Sequence, residues 1–179
     1  HTHSAYVNAL TCASKGEEIL STLFPESIWI DYATPGRDLT LEIKKNISFP
    51  IEAKGTIFLK NHGLIVWDET YQGALTEHQK ISETIIKKFD LPALSFNKDE
   101  PYLLNAEQSQ LLFPDQAVFT LAGEEILASR SAQEAICAHN YILLSISLMG
   151  LTPIFLPAQE AEKLLNMESE KYRQELIKR

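Results

Sequence analysis

The run Gly55-Thr56-Ile57-Phe58-Leu59-Lys60-Asn61-His62-Gly63-Leu64-Ile65-Val66-Trp67 constrains the fold of this chain more than any other stretch. Gly55 to Leu59 and Leu64 to Trp67 are rich in β-branched, aliphatic and aromatic residues, the composition of strands. Between them stands the polar tripeptide Asn61-His62-Gly63. Polar residues in the middle of an apolar strand pair are a local conflict, and such conflicts collect at functional sites. The short link between the two apolar halves also favours antiparallel pairing of neighbours.

A second piece lies at the start of the chain, His1-Thr2-His3. In an extended segment, residues i and i+2 point to the same side, so His1 and His3 can present both imidazoles to one point. Three of the 5 histidines of the chain sit in these two pieces. Zinc takes imidazole nitrogens at about 2.0–2.1 Å, and a catalytic zinc uses three protein ligands and an open position. His62 is the candidate third ligand. Gly63 beside it permits a backbone turn or a close approach that a side chain would forbid. Asn61 is a candidate hydrogen-bonding partner near the metal, or a plain turn residue. Histidine ligands also suit iron, nickel or cobalt. On spacing alone the His-x-His pair fits a chance occurrence or a tag remnant equally well. A pair of this kind is normally led into by a strand, and the chain opens on His1 without a methionine. An N-terminal extension of the natural protein is therefore expected.

With 179 residues, 45% of them apolar and 22% charged, the chain has the size and composition of one globular domain. The formal net charge of −8 argues against nucleic acid as a partner, because phosphate neutralisation needs a basic face. No uninterrupted apolar run approaches a membrane span, and the start lacks a signal peptide's basic and apolar regions. Cys12 and Cys137 lie far apart in apolar helical patterns and read as buried, reduced thiols. These features place the protein in the cytoplasm.

Along the chain, Ser4 reads as an N-cap for a helix from Ala5 to about Ser14, followed by a helical stretch from Glu17 to Phe24. Ser27 to Ala33 reads as a strand. Thr34-Pro35-Gly36 is a turn, and Asp38 caps a helix through Ile47. After the central run, Asp68 caps a long helix to about Lys88 with the stripe Tyr71, Leu75, His78, Ile81 and Ile85. Residues 91–110 form a polar loop. Strands are expected at Ala117 to Leu121 and Ile126 to Ser129. Ser131 and Glu134 form a capping box for a helix ending at Gly150. Thr152 to Leu156 is strand-like, and a last helix runs from Ala158 to about Ile177. No internal repeat or low-complexity tract is present. The mixture predicts a layered α/β domain with a mostly antiparallel sheet between helices.

His1-Thr2-His3-Ser4 followed by Val7-Asn8-Ala9-Leu10-Thr11-Cys12-Ala13 resembles the metal-binding segment of the class II aldolase/adducin family. Ile57 to Trp67 resembles that family's strand carrying the third histidine. The resemblance runs over roughly the whole chain. Leu112-Phe113-Pro114-Asp115-Gln116 and Met167-Glu168-Ser169-Glu170-Lys171-Tyr172-Arg173 resemble, more specifically, the aldolase part of the rhamnulose-phosphate aldolase/alcohol dehydrogenase branch. The family fold is a three-layer α/β/α sandwich with a mainly antiparallel central sheet. The resemblance implies zinc on His1, His3 and His62, with Lewis-acid polarisation of a ketose carbonyl and stabilisation of an enediolate during retro-aldol cleavage of a sugar or sugar phosphate. It implies a homo-oligomer, a tetramer favoured, with active sites at subunit contacts. The family's catalytic Glu and phosphate-cradling Ser, Thr, Asn and Gly lie N-terminal to the His-x-His pair. The base is therefore expected upstream of His1, and residues 1–179 are expected to form one domain lacking its N-terminal part. Epimerases and dehydratases of the same fold share the three histidines, whereas adducin-like assembly modules lack them.

Other candidates read as structural. His78 and His139 are core or interface histidines at helical spacing. Tyr32, Tyr102 and Tyr172 are possible proton donors to a neighbouring subunit, with packing or surface roles as the plainer reading. Asp31, Asp68 and Asp115 read as caps and turn residues, and Lys87-Lys88 as a solvated face.

Overall fold

The computed structural model describes residues 1–48, 51–97, 102, 110–117, 129–167 and 172. In chain order the elements are α1 (Ala5–Thr11), α2 (Gly16–Leu23), β1 (Ile28–Ile30), α3 (Arg37–Asn46), β2 (Gly55–Leu59), β3 (Gly63–Trp67), α4 (Tyr71–Phe89), a 3-10 turn (Pro114–Gln116), α5 (Arg130–Leu148) and α6 (Ala158–Leu165).

The described sheet has the order β1-β2-β3. β2 and β3 pair antiparallel, with Leu59 opposite Gly63 and Gly55 opposite Trp67. β1 and β2 pair parallel, with Ile28 opposite Ile57. Over the described residues the sheet is thus mixed, not mainly antiparallel as the sequence suggested. The cause lies between Ile30 and Gly55. The chain crosses over through α3 before it returns to the sheet, and such a crossover delivers a parallel strand.

Alternation along β2 loads both faces of the sheet. Phe58 packs with Val7 and Leu10 of α1, Leu64 of β3 and Ile81 and Ile85 of α4. Ile57 and Leu59 turn the other way, joining Ile30 and the partly buried Leu39, Ile43 and Ile47. α1 is short and buried at every residue except the partly exposed Tyr6. Its other flank, Ala5 and Ala9, meets Tyr141, Ile142 and Ile146 of α5 and the loop residues Leu112 and Phe113. Asn8 and Thr11 are the polar exceptions in α1, at 0% and 1% exposure. Buried polar groups of this kind need partners, and theirs tie α1 to the histidine-bearing turn described below.

Element boundaries shift at the caps. α4 is capped by Thr70, which accepts from Gly73 N at 2.9 Å. Asp68 instead holds Thr70, accepting from its N at 2.9 Å. Tyr71 is 81% exposed, so the buried stripe of α4 begins deeper, at Ile81 and Ile85. Ser129, not Ser131, caps α5, accepting from Ala132 N at 3.2 Å. Residues 152–156 do not join the described three-stranded sheet. They make one bridge, Ala13 opposite Pro153, and Leu156 N donates to Leu111 O at 2.7 Å. Most of the expected strands at 117–121 and 126–129, and the far end of the last helix, lie outside the described residues. Cys12 and Cys137 are buried and free, as expected. Burial pushes the Cys12 thiol up to about 12, which leaves it protonated and unreactive. No helix among the described residues is long and apolar enough to cross a membrane.

Candidate metal centre

The opening residues form a short edge on β3. Thr2 N donates to Leu64 O and Leu64 N donates to Thr2 O, both at 2.9 Å. The Thr2 hydroxyl reaches toward α4, 2.7 Å from His78 Nε2. Its neighbours in an extended chain must point away from it. His1 and His3 do so, with ring centroids 4.8 Å apart.

His62 arrives from the turn between β2 and β3. Asn61 takes the left-handed conformation this turn needs, at φ 49°, a region that asparagine tolerates better than most residues. Its backbone N donates to Thr11 O at 2.9 Å. Asn8 Nδ2 donates to His62 O at 3.3 Å, and Thr11 Oγ1 donates to Asn8 Oδ1 at 3.2 Å. The side-chain amide of Asn61 donates to Leu112 O at 2.9 Å and Ile154 O at 2.6 Å. One residue therefore ties the turn to the 110–117 loop and to the 152–156 segment.

Gly63 answers a different need from the left-handed turn. A Cβ there would collide with the Thr2 carbonyl and lie 3.0 Å from His3 Cδ2. It marks the place where the two histidine-bearing segments touch. Gly63→Ala is expected to push residues 1–3 off β3, costing about 1–3 kcal/mol by overpacking and weakening metal binding. Urea unfolding and zinc titration of the variant read both effects, and wild-type values in both would contradict this role.

The three rings converge. His62 lies 4.9 Å from His1 and 5.2 Å from His3 between ring centroids. One donor nitrogen from each histidine lies within 4.8 Å of the others. His3 Nε2 and His62 Nδ1 are buried and have no hydrogen-bond partner among the described residues. An orphaned buried polar atom costs about 1–3 kcal/mol. Two of them facing a third imidazole fit a divalent cation. Burial above all, with His3 beside it and only Asp115 opposing, lowers His62 to about 4. His62 is therefore neutral near pH 7, the form a ligand must have.

Residues 1–85 match the model of the class II aldolase and adducin N-terminal domain. Just under half of the chain is thus similar to the class II aldolase/adducin family. The matched part spans α1 through most of α4 and contains all three histidines. Comparison with curated proteins and with solved structures gives no match.

One site residue escaped the sequence reading. Asp115, taken as a turn residue, places Oδ2 2.9 Å from His3 Nδ1. Asp-Gln after a proline signals a turn; nothing local signals a partner more than a hundred residues away. The remaining candidates sit elsewhere. His78 is half-buried against Thr2, beside an open pocket of about 570 Å³ lined also by Ser4, Tyr6 and Ser82. The Tyr32 hydroxyl donates to Glu160 at 3.0 Å, and burial followed by that carboxylate pushes its pKa up. The Tyr102 hydroxyl accepts from Asn97 N at 2.8 Å, and Tyr172 is exposed.

His139 is a core histidine, as expected. Its Nδ1 lies 2.7 Å from Gln116 Nε2. An amide nitrogen only donates, so Nδ1 accepts and the ring is neutral. Burial lowers its pKa to about 4. The unfolded chain takes up that proton near pH 6.5, so folding stability falls as pH drops from about 6.5 to about 4. His139 is expected to contribute on the order of 3 kcal/mol at most to this loss, and His62 adds to the same slope. Urea midpoints of the metal-free chain should fall across this window, and His139→Gln should reduce the slope. A flat profile would contradict the assignment.

Proposed function

We propose that this chain holds a divalent metal, zinc first, on His1, His3 and His62, as the metal half of a class II aldolase-type lyase acting on a sugar or sugar phosphate. The observation that carries this is the convergence of the three histidines, one nitrogen of each within 4.8 Å of the others, with His3 Nε2 and His62 Nδ1 buried and without a partner among the described residues. A bound cation would supply Lewis-acid polarisation of a carbonyl oxygen. The chain's own residues hold the ligands fixed: His1 and His3 through the bridge of Thr2 to Leu64, and His62 through the bonds of Asn61 and Asn8. Asn61 acts on the site through the backbone that it anchors. His1 is exposed and the site is open on its side, which suits access by a small polar substrate. The same reading carries the family's three-layer sandwich, a homo-oligomer with tetramer favoured, and the rhamnulose-phosphate aldolase-like branch.

The test is a coupled assay for released aldehyde over a panel of ketoses and ketose phosphates, with metal and after chelation. The base expected ahead of His1 makes an N-terminally extended polypeptide the right sample. Cleavage should vanish on chelation. Interconversion or dehydration without aldehyde release would replace the lyase reading with an epimerase or dehydratase. Failure to bind metal at all would favour an adducin-like assembly role.

A further inference from the structure

We propose that Asp115 is the positioning residue of this centre: its carboxylate fixes the tautomer and orientation of His3 and thereby sets metal affinity. The inference rests on the metal reading above. A carboxylate only accepts, so the 2.9 Å contact from Asp115 Oδ2 requires the proton on His3 Nδ1. In the neutral ring, the form a metal ligand must have, the lone pair is then on Nε2, the buried nitrogen that has no partner among the described residues. The same turn also grips the face of the ring. Phe113 lies 5.4 Å from His3 between centroids, at 35°.

The turn is built to hold this position. Gln116 Oε1 accepts from Leu112 N at 2.7 Å and Phe113 N at 3.4 Å, and Gln116 Nε2 meets His139 at 2.7 Å. Leu112 O accepts from Asn61 Nδ2 at 2.9 Å and from Cys12 Sγ at 3.5 Å. Asn61 is the residue before His62. The loop that orients one ligand is thus fastened to the turn that carries another. Carboxylates placed behind a histidine ligand fix its tautomer and raise its basicity, and their loss costs roughly 10–100-fold in metal affinity.

The experiment compares wild type with Asp115→Ala, Asp115→Asn and Asp115→Glu in two ways. Zinc affinity is measured by competition with a chromophoric chelator. The His3 tautomer is read in the metal-free chain at pH 8 by long-range 1H–15N NMR. Wild type should show His3 protonated at Nδ1. Asp115→Ala should show mixed tautomers and a roughly 10–100-fold loss of zinc affinity, with Asp115→Asn intermediate and Asp115→Glu recovering part of the loss. An Nδ1-protonated His3 in Asp115→Ala, at any zinc affinity, would overturn the proposal, as would wild-type affinity despite mixed tautomers. If wild type itself binds no zinc, the metal reading fails, and the tautomer measurement still decides whether Asp115 positions His3.

Discussion

His62→Ala is expected to abolish tight zinc binding while leaving the metal-free chain folded. Loss of an outer partner of a ligand costs roughly 10–100-fold in affinity; loss of one of three ligands should cost well beyond that. The effect on folding should be small because two terms oppose each other. Removing the ring leaves a cavity beneath the turn, which costs stability. It also removes a buried nitrogen with no partner among the described residues, which relieves about 1–3 kcal/mol. Equilibrium dialysis with metal analysis reads the first effect and urea unfolding of the metal-free chain the second. Zinc retained at wild-type affinity would remove His62 from the ligand set.

Asn61→Ala should be the most destabilising single change near the site. Alanine at φ 49° bears a left-handed strain of about 1–2 kcal/mol. The carbonyls of Leu112 and Ile154 each lose a donor; Leu112 O keeps Cys12 Sγ, so the loss falls mainly on the part-buried Ile154 O, and losing such a partner costs about 1–3 kcal/mol. The sum is on the order of 2–5 kcal/mol, a large share of the roughly 5–15 kcal/mol that holds a domain folded. Asn61→Gly separates the two causes. It removes the strain but not the lost hydrogen bonds, so its urea midpoint should lie between wild type and Asn61→Ala. Equal midpoints for the two variants would mean that the left-handed backbone contributes nothing. Both variants should also bind zinc more weakly, because the bond from Asn61 to Leu112 joins the His62 turn to the Asp115 turn.

The hairpin was legible from local pattern, whereas the convergence of its histidine with the chain start rested on the family resemblance, because spacing alone left it open. The β-branched and aromatic residues of 55–59 and 64–67, with a polar interruption between them, predict two strands and a presented imidazole. The i, i+2 relation of His1 and His3 needs only an extended chain. What the pattern could not supply was long-range pairing. Ile28-Trp29-Ile30 reads as a strand in either direction, and only the crossover through α3 makes it parallel to β2. Asp115 has the same difficulty. Its neighbours Pro114 and Gln116 explain the turn, but the packing of Leu112 and Phe113 against α1 decides that the carboxylate faces His3. The cap of α5 failed for a smaller reason. Ser129 and Ser131 both have capping chemistry, and one backbone geometry chooses between them.

The most direct measurement is zinc titration of the metal-free chain, followed by X-ray absorption at the zinc edge. One zinc per chain is expected, with imidazole nitrogens at about 2.0–2.1 Å, and with the signal lost in His3→Ala and His62→Ala. Sub-stoichiometric zinc, or zinc whose absorption spectrum is unchanged in both variants, would contradict a metal centre on His1, His3 and His62.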